Sequence, residues 1–333
     1  MKAAFFGLNK WQKKLVERKL GCLEISFHKH DELDKKLDEL KEIEILGVFV
    51  ETPVKKKHIK KLKNLKLIVT LSTGYDHIDC KYARKKDIDV CNVPNYGEKT
   101  VAEYAFGLML NEVRNIDKAK KRVLETGKFD NTGLIGSDLS GKTLGVIGTG
   151  SIGMHVLKIA GGFEMNKLAY DVNKNMKASK DLNFKYVDLA ELYTKSDIIS
   201  VHVPLNKHTK HMIDSSSLSM MKDGVIIINT SRGAVIDPDM IIEGLKNEKI
   251  RAVATDVLEG EENFKDDISI LNAIDDDKKS RLILENEVLI NHPKVTVTPH
   301  VAFYTREAIE RIVNQTTMNV LKFLDSKKIN VVN

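Results

Sequence analysis

Short apolar runs alternate with amphipathic stretches along the whole chain of 333 residues. Near the start, "KAAFFGL", "CLEISF", "ILGVFV", "KLIVTLS" and "DIDVCNV" carry the branched and aromatic residues typical of strands. Between them, "KWQKKLVERKL" and "DELDKKLDEL" space their apolar positions along one face of a helix. Strand then helix, repeated, predicts a parallel sheet covered on both faces and ending near Pro94.

The stretch from Thr100 to Glu125, "TVAEYAFGLMLNEVRNIDKAKKRVLE", predicts one long helix with an apolar first half and a basic second half, suited to bridging two domains. A second series follows, in which "KTLGVIG", "KLAYD", "DIISVHV", "GVIIINTS", "IRAVATDV" and "KVTVTPH" predict a second doubly wound sheet. The expected class is therefore α/β, with two doubly wound parallel-sheet domains of the Rossmann or flavodoxin-like kind. At the end, Ile309, Ile312, Val313, Val320, Phe323 and Leu324 form one helical stripe that must dock on a surface. The acidic segment between Glu261 and Val295 is expected to be irregular and at best partly helical; a connection of that length usually belongs to a functional loop or an embellishment.

Composition narrows the class. Length alone suggests two domains of roughly 150 residues each, and 42% hydrophobic with 30% charged residues is that of a globular chain, not a disordered or membrane one. Cys22, Cys80 and Cys91 lack the spacing of a zinc site or a disulfide framework, so no metal is expected and a reducing cytoplasm is the natural setting. The opening "MKAAFFGLNKW" is too brief an apolar run for a signal peptide, and no run reaches membrane-spanning length. Net charge is +6, with the densest basic cluster, "KKKHIKKLK", at 55–63. Ile59, Leu62 and Leu65 recur through it at helical spacing, which makes the lysines a solvated face and argues against nucleic acid as a partner.

Gly148, Gly150 and Gly153 in "LGVIGTGSIGMHV" form a G-x-G-x-x-G pattern between an expected strand and an expected helix, and a second strand ends at Asp171. In that context the first glycine permits the tight turn, the second lets a pyrophosphate approach the backbone, and the third lets helix and strand pack closely. The helix N-terminus offers N–H groups to the phosphates, and the Asp171 carboxylate can accept the adenosine-ribose hydroxyls. A dinucleotide seat is the expectation, against a bare glycine-rich turn.

Ligands of open α/β sheets bind at the carboxyl ends of the strands. Three reactive residues stand just after expected strands there: Arg232 in "NTSRGAV", Glu261 in "DVLEGEE" and His300 in "VTVTPH". Singly, each has a bland reading as a local ion pair, a solvated acidic loop or a strand-end histidine. Together they offer a base, its orienting carboxylate and a carboxylate-binding cation, the set that 2-hydroxy acid oxidation needs.

The motifs "GTGSIG", "HVP", "NTSRGAVID", "ATDVLEGE" and "TPHVAFYT", with "STGYDHID" and "NVPNYGEKTVAEYA" upstream, resemble the D-isomer-specific 2-hydroxyacid dehydrogenases, most closely the fermentative D-lactate dehydrogenase branch. The resemblance covers nearly the whole chain, with the motifs in order. It implies NAD as cofactor, D stereochemistry and a homodimer. It gives Arg232 the substrate carboxylate and the C2 oxygen, His300 the proton on that oxygen, and Glu261 the orientation and charge of the imidazole. Backbone N–H groups around Thr73 and Gly74 meet the carboxylate, with Tyr96 and Phe303 near the substrate. On the cofactor, Ser151 and Ile152 lie by the pyrophosphate, and His202, Val203, Pro204 and Thr209 line the adenosine side, although the resemblance implies asparagine at position 209. Thr230 and Asp256 lie near the nicotinamide. The implied domains are 1–98 plus 301–333 for substrate and 99–300 for NAD, with the site in the cleft between them.

Other substrates of the same family remain open: glycerate or hydroxypyruvate, phosphoglycerate, a branched 2-oxo acid or phenylpyruvate. The short stretch after Leu324 counts against the longer phosphoglycerate enzymes, and a formate-oxidising relative is expected to carry glutamine at position 261. Outside the enzyme class, a dinucleotide-sensing binding protein that kept the fold without turnover is the rival; the Arg232, Glu261 and His300 set favours the enzyme.

Overall fold

In a computed structural model that describes residues 1–261 and 277–333, the alternating pattern becomes two parallel sheets, each inside its own unit of the chain. One unit comprises Met1–Tyr96 with Tyr304–Asn333, the other Gly97–Phe303.

The first unit holds β1 (Lys2–Phe6), β2 (Glu24–His28), β3 (Ile45–Val48), β4 (Leu67–Thr70) and β5 (Asp89–Cys91), in the order β2-β1-β3-β4-β5. All four pairings are parallel, and β3 and β4 are buried at every position, as a sheet covered on both faces requires. The helix Arg306–Leu324 belongs to this unit. It buries Ile309, Ile312, Val313 and Val320 against β4 and the helix Lys10–Lys19, while Phe323 and Leu324 stay half-exposed. Thr305 caps it by accepting from the Ala308 N–H at 3.2 Å.

The basic cluster is the helix Lys56–Lys61, with Ile59, Leu62 and Leu65 buried and every lysine exposed. Its His58 is also buried, which the apolar spacing did not signal. The imidazole accepts from the Lys55 N–H and meets Asp34 at 3.0 Å, and burial pushes its pKa down despite that carboxylate.

The second unit holds β6 (Thr143–Ile147), β7 (Asn166–Tyr170), β8 (Lys185–Tyr186), β9 (Ile198–Val201), β10 (Val225–Asn229), β11 (Ile250–Thr255) and β12 (Val295–Val297). Their order is β12-β11-β10-β9-β6-β7-β8, so the winding reverses between β6 and β9. That switch point is where an open α/β sheet leaves a crevice beyond its strand ends.

One element differs from expectation. The long helix divides at Asn115, whose φ of 52° is left-handed, into Glu98–Arg114 and Ile116–Thr126. Helical spacing runs on through the break and hides it; what makes the break is a side chain that tolerates the left-handed region and donates to the carbonyls of Leu134 and Ile135. The acidic segment, expected to be at best partly helical, carries the helix Asp277–Asn291 of 15 residues; residues 262–276 lie outside the described residues. Among the described residues, no helix is long and apolar enough to cross a membrane.

Asn115→Ala is expected to destabilise the protein by about 1–2 kcal/mol, the cost of a left-handed alanine, and Asn115→Gly to be nearly neutral. Calorimetric melting decides the matter: an alanine variant as stable as the parent contradicts this account of the break.

Candidate active site

The turn after β6 is built as a phosphate-binding turn requires. Gly148 adopts φ 95°, and a Cβ there would stand 2.8 Å from the His202 carbonyl. A Cβ at Gly153 would collide with the Gly148 carbonyl oxygen, so helix and strand touch through backbone alone. At Gly150, by contrast, a side chain would project into open space, with no atom within 4 Å. The helix Ser151–Gly162 begins there, and the N–H groups of its first turn, Ser151 and Ile152 included, have no intrahelical acceptor.

Asp171 follows β7, and its Oδ2 accepts from the Thr149 N–H at 2.6 Å and from the Thr149 hydroxyl at 3.1 Å, while Oδ1 accepts from the Asn173 N–H at 2.8 Å. Tyr186, on the two-residue β8 that was too short to stand out in the sequence, touches the Thr149 hydroxyl at 2.8 Å and accepts from the Asn175 N–H at 3.1 Å. The carboxylate is therefore held in a fixed position at the strand end.

Beyond β9, His202 Nε2 lies 2.8 Å from the Ser200 hydroxyl, and burial pushes the imidazole down to about 3, so it is neutral at physiological pH. Its buried Nδ1 and the buried Thr230 hydroxyl have no hydrogen-bond partner among the described residues. Thr209 accepts from the Asn206 N–H at 2.9 Å and donates to the Pro204 carbonyl at 2.6 Å, so its hydroxyl shapes the loop that carries Val203 and Pro204. A glycine turn open at Gly150, a carboxylate at the end of β7 and buried polar atoms in want of a partner all suit an extended dinucleotide.

The reactive set lies at the ends of β10, β11 and β12. His300 Nδ1 meets Glu261 Oε1 at 2.6 Å, and Glu261 Oε2 accepts from the Leu258 N–H at 3.2 Å. Burial alone drives the imidazole pKa down, but the hydrogen bond and charge of Glu261 outweigh it, so the net shift is upward. Burial raises Glu261, and the hydrogen bond and charge of His300, the Leu258 N–H and the charge of Arg232 together more than reverse it. The pair thus favours imidazolium beside carboxylate. Arg232 is close enough for its charge to oppose the rise at His300 and to help hold Glu261 ionised. Its own turn is fixed by Asn229, which donates to the Arg232 carbonyl at 3.1 Å and accepts from Ser231 N–H and hydroxyl. Phe303 sets its ring edge-on to His300, with centroids 6.2 Å apart.

Asp256 is 1% exposed, and its carboxylate accepts from the Thr298 hydroxyl and from the N–H groups of Val301 and Ala302 at 2.5, 2.9 and 2.7 Å. Burial raises its pKa against those bonds. The side chain expected near a nicotinamide thus binds the turn that carries His300, whose backbone takes the left-handed φ of 53°.

In the first unit, the loop after β4 is equally fixed. Thr73 donates its hydroxyl to the Val93 carbonyl at 2.9 Å, Asn92 donates to the Thr73 carbonyl at 2.9 Å, and Ser72 donates to the Gly74 carbonyl at 2.6 Å. His77 Nε2 and the Ser72 hydroxyl both meet the Thr70 hydroxyl, and Asn319 from the last helix donates to the Asn92 carbonyl. Apart from Thr73, none of the residues that make these supports was singled out from sequence, because hydrogen bonds to backbone leave no spacing to read. Half-buried Tyr96 accepts at its carbonyl from Arg311 Nε at 2.8 Å.

The family model for the D-isomer specific 2-hydroxyacid dehydrogenase NAD-binding domain matches residues 106–302. An aromatic 2-oxoacid reductase of Clostridium sporogenes is 41% identical over 268 residues, 80% of this chain and 78% of its own length. A D-lactate dehydrogenase of Escherichia coli K12 is 35% identical over 329 residues, 98% of this chain and 97% of its own. Among solved structures, D-lactate dehydrogenase from Aquifex aeolicus complexed with NAD and lactic acid superposes with a TM-score of 0.84 at 34% identity, covering 97% of this chain and 96% of that one. The chain belongs to the D-isomer-specific 2-hydroxyacid dehydrogenases, and its second sheet is their NAD-binding domain. It is an oxidoreductase, and NAD is its cofactor.

With Asp171 fixed by Thr149 and Asn173 and no basic residue at 172 or 173, a 2′-phosphate at this strand end is opposed by the Asp171 carboxylate, an effect that Lys174 weakens slightly. kcat/KM is expected to favour NADH over NADPH by about a hundredfold or more, since placing like charges side by side costs several kcal/mol. Equal efficiency with the two cofactors contradicts the assignment.

Proposed function

We propose that this dehydrogenase reduces a small 2-oxo acid, pyruvate first, to the D-2-hydroxy acid, with Arg232, Glu261 and His300 as the reacting set. The observation that carries the reading is the 2.6 Å contact of His300 with Glu261 beside Arg232. When bound, the nicotinamide supplies the hydride that reduces C2. Protonated His300 donates to the carbonyl oxygen through Nε2, because Nδ1 is committed to Glu261. Glu261 keeps the imidazole charged and correctly turned. Arg232 clamps the substrate carboxylate and stabilises charge developing on the C2 oxygen. For the reverse reaction, neutral His300 takes the proton back. Thr73 and Gly74 serve the carboxylate through their N–H groups. Tyr96 and Phe303 limit the substituent on C3, and the Phe303 ring beside His300 supports a small acid.

A second reading, an aromatic 2-oxo acid, is favoured by the Clostridium sporogenes relative at 41% identity. NADH consumption with a panel of pyruvate, hydroxypyruvate, 2-oxoisocaproate and phenylpyruvate tests the choice. Pyruvate is expected to have the highest kcat/KM; preference for phenylpyruvate supports the second reading, and no turnover with any of them leaves a dinucleotide sensor.

We further propose a homodimer in the cytoplasm. Supporting it are Leu124, Phe129 and Ile135, large apolar side chains close in sequence and exposed at 72%, 97% and 89%, which a second copy would cover, and three free cysteines, which suit a reducing compartment.

Arg232→Lys is expected to lower kcat/KM at least about tenfold although charge is retained, because an ammonium cannot form the planar two-pronged contact and each charge-assisted hydrogen bond contributes about 1.5–3 kcal/mol. Steady-state kinetics near those of the parent assign this arginine a structural part instead.

A further inference from the structure

A second histidine–glutamate pair stands beside the first. His211 Nε2 and Glu259 Oε2 are 2.6 Å apart, both partly buried, and Lys210 reaches Glu259 Oε1 at 3.4 Å. The two partners are 48 residues apart in sequence, on loops that flank the reactive set.

What the pair joins is specific. The His211 N–H donates to the Ala234 carbonyl at 2.9 Å, and the chain from there runs alongside 234–237: the Ile213 N–H donates to Val235 and the Asp237 N–H returns to the Ile213 carbonyl. Arg232 is two residues before Ala234. On the other side, Glu259 lies in the turn that ends at Glu261, closed by the Glu261 N–H on the Leu258 carbonyl at 3.3 Å and the Leu258 N–H on Glu261 Oε2. The two turns touch at Gly233, where a Cβ would collide with the backbone of Leu258 and Glu259. Asn286, from the helix Asp277–Asn291, donates to the Glu259 carbonyl at 2.9 Å and holds the same turn from its far side. Three loops thus meet through backbone, and among the described residues His211 and its neighbour Lys210 link the first to the third through the Glu259 side chain, His211 at the shorter distance.

We infer that His211 and Glu259 are positioning residues that hold the Arg232 turn and the Glu261 turn in register, and so set the geometry of the Glu261–His300 bond. Neither is a catalytic residue; their effect passes through Glu261 and Arg232. His211 also has a left-handed φ of 49°, a conformation that costs a non-glycine residue energy and that its surroundings must support. The misplacement at stake is small, yet a displacement of about 1 Å from a remote substitution lowers rates by up to about a hundredfold.

The inference rests on the proposed roles of Arg232, Glu261 and His300, so its first readout is independent of turnover. The His300 imidazole is titrated by proton NMR in the full-length parent protein and in His211→Ala, Glu259→Ala and His211→Gln, without substrate. Either alanine variant is expected to lower the His300 pKa towards the ordinary histidine value, and His211→Gln, which keeps an N–H donor near the Nε2 position, to restore it. In pyruvate reduction the alanine variants are expected to lose about ten- to a hundredfold in kcat/KM, and the double variant to lose no more than either single one, as partners in one link do. Unchanged His300 titration in both alanine variants, or losses that add in the double variant, overturns the inference. Shifted titration in a parent protein that turns over no 2-oxo acid leaves the link intact and removes the functional reading. If one alanine variant does not fold, the other, together with His211→Gln, still decides.

Discussion

The hydrogen bond from His300 to Glu261 is the constraint to which the second unit is fitted. A histidine in partly buried surroundings loses charge, and in the reduction proposed above an acid catalyst that has lost its proton is of no use. Glu261 reverses that tendency at 2.6 Å, but only while two chain segments from the ends of β11 and β12 stay in register. Asp256 supplies the register at one end, accepting from Thr298, Val301 and Ala302 and so accommodating the left-handed backbone of His300. The Leu258–Glu261 turn supplies it at the other, folded on itself and pressed against Gly233.

The same sheet end explains why the residues proposed for the cofactor and for the reaction belong to one unit. Parallel strands point every carboxyl end the same way, so the glycine turn after β6, Asp171 after β7, His202 after β9, Thr230 and Arg232 after β10 and His300 after β12 share one edge of the sheet. Fixed groups dominate along it. Asp171 is held by backbone N–H donors, the Arg232 turn by Asn229, and His202 is neutral through burial. An edge whose groups are already oriented needs little rearrangement when charge develops during reaction.

Much of this was legible before any coordinates, for a physical reason. Strands buried on both faces write long apolar runs, and backbone requirements at Gly148 and Gly153 tolerate almost no other residue, so both leave plain marks. Arg232, Glu261 and His300 could be put forward because strand ends direct attention to the next few residues, and the fold brings His300 against Glu261. What stayed hidden depends on partners that spacing does not encode. The break at Asn115 keeps helical periodicity on both sides. β8 is two residues long, so Tyr186 had no run to announce it. Glu259 reads as one more acid in "LEGEE", and its link to His211 exists only after folding. Asp256 was placed near the nicotinamide by resemblance, whereas its hydrogen bonds to the His300 turn could be seen only in three dimensions.

The central claim, that Glu261 keeps His300 protonated for reduction, is tested most directly by the pH dependence of pyruvate reduction in the parent and in Glu261→Gln. In the proposed mechanism reduction needs the acid form of His300, so its rate falls as pH rises through the histidine pKa. The amide keeps the shape of the carboxylate and removes its charge, which lowers that pKa. The alkaline limb should therefore move to lower pH, with the reverse reaction reaching its maximum at correspondingly lower pH. An alkaline limb at the same pH in both proteins contradicts the account.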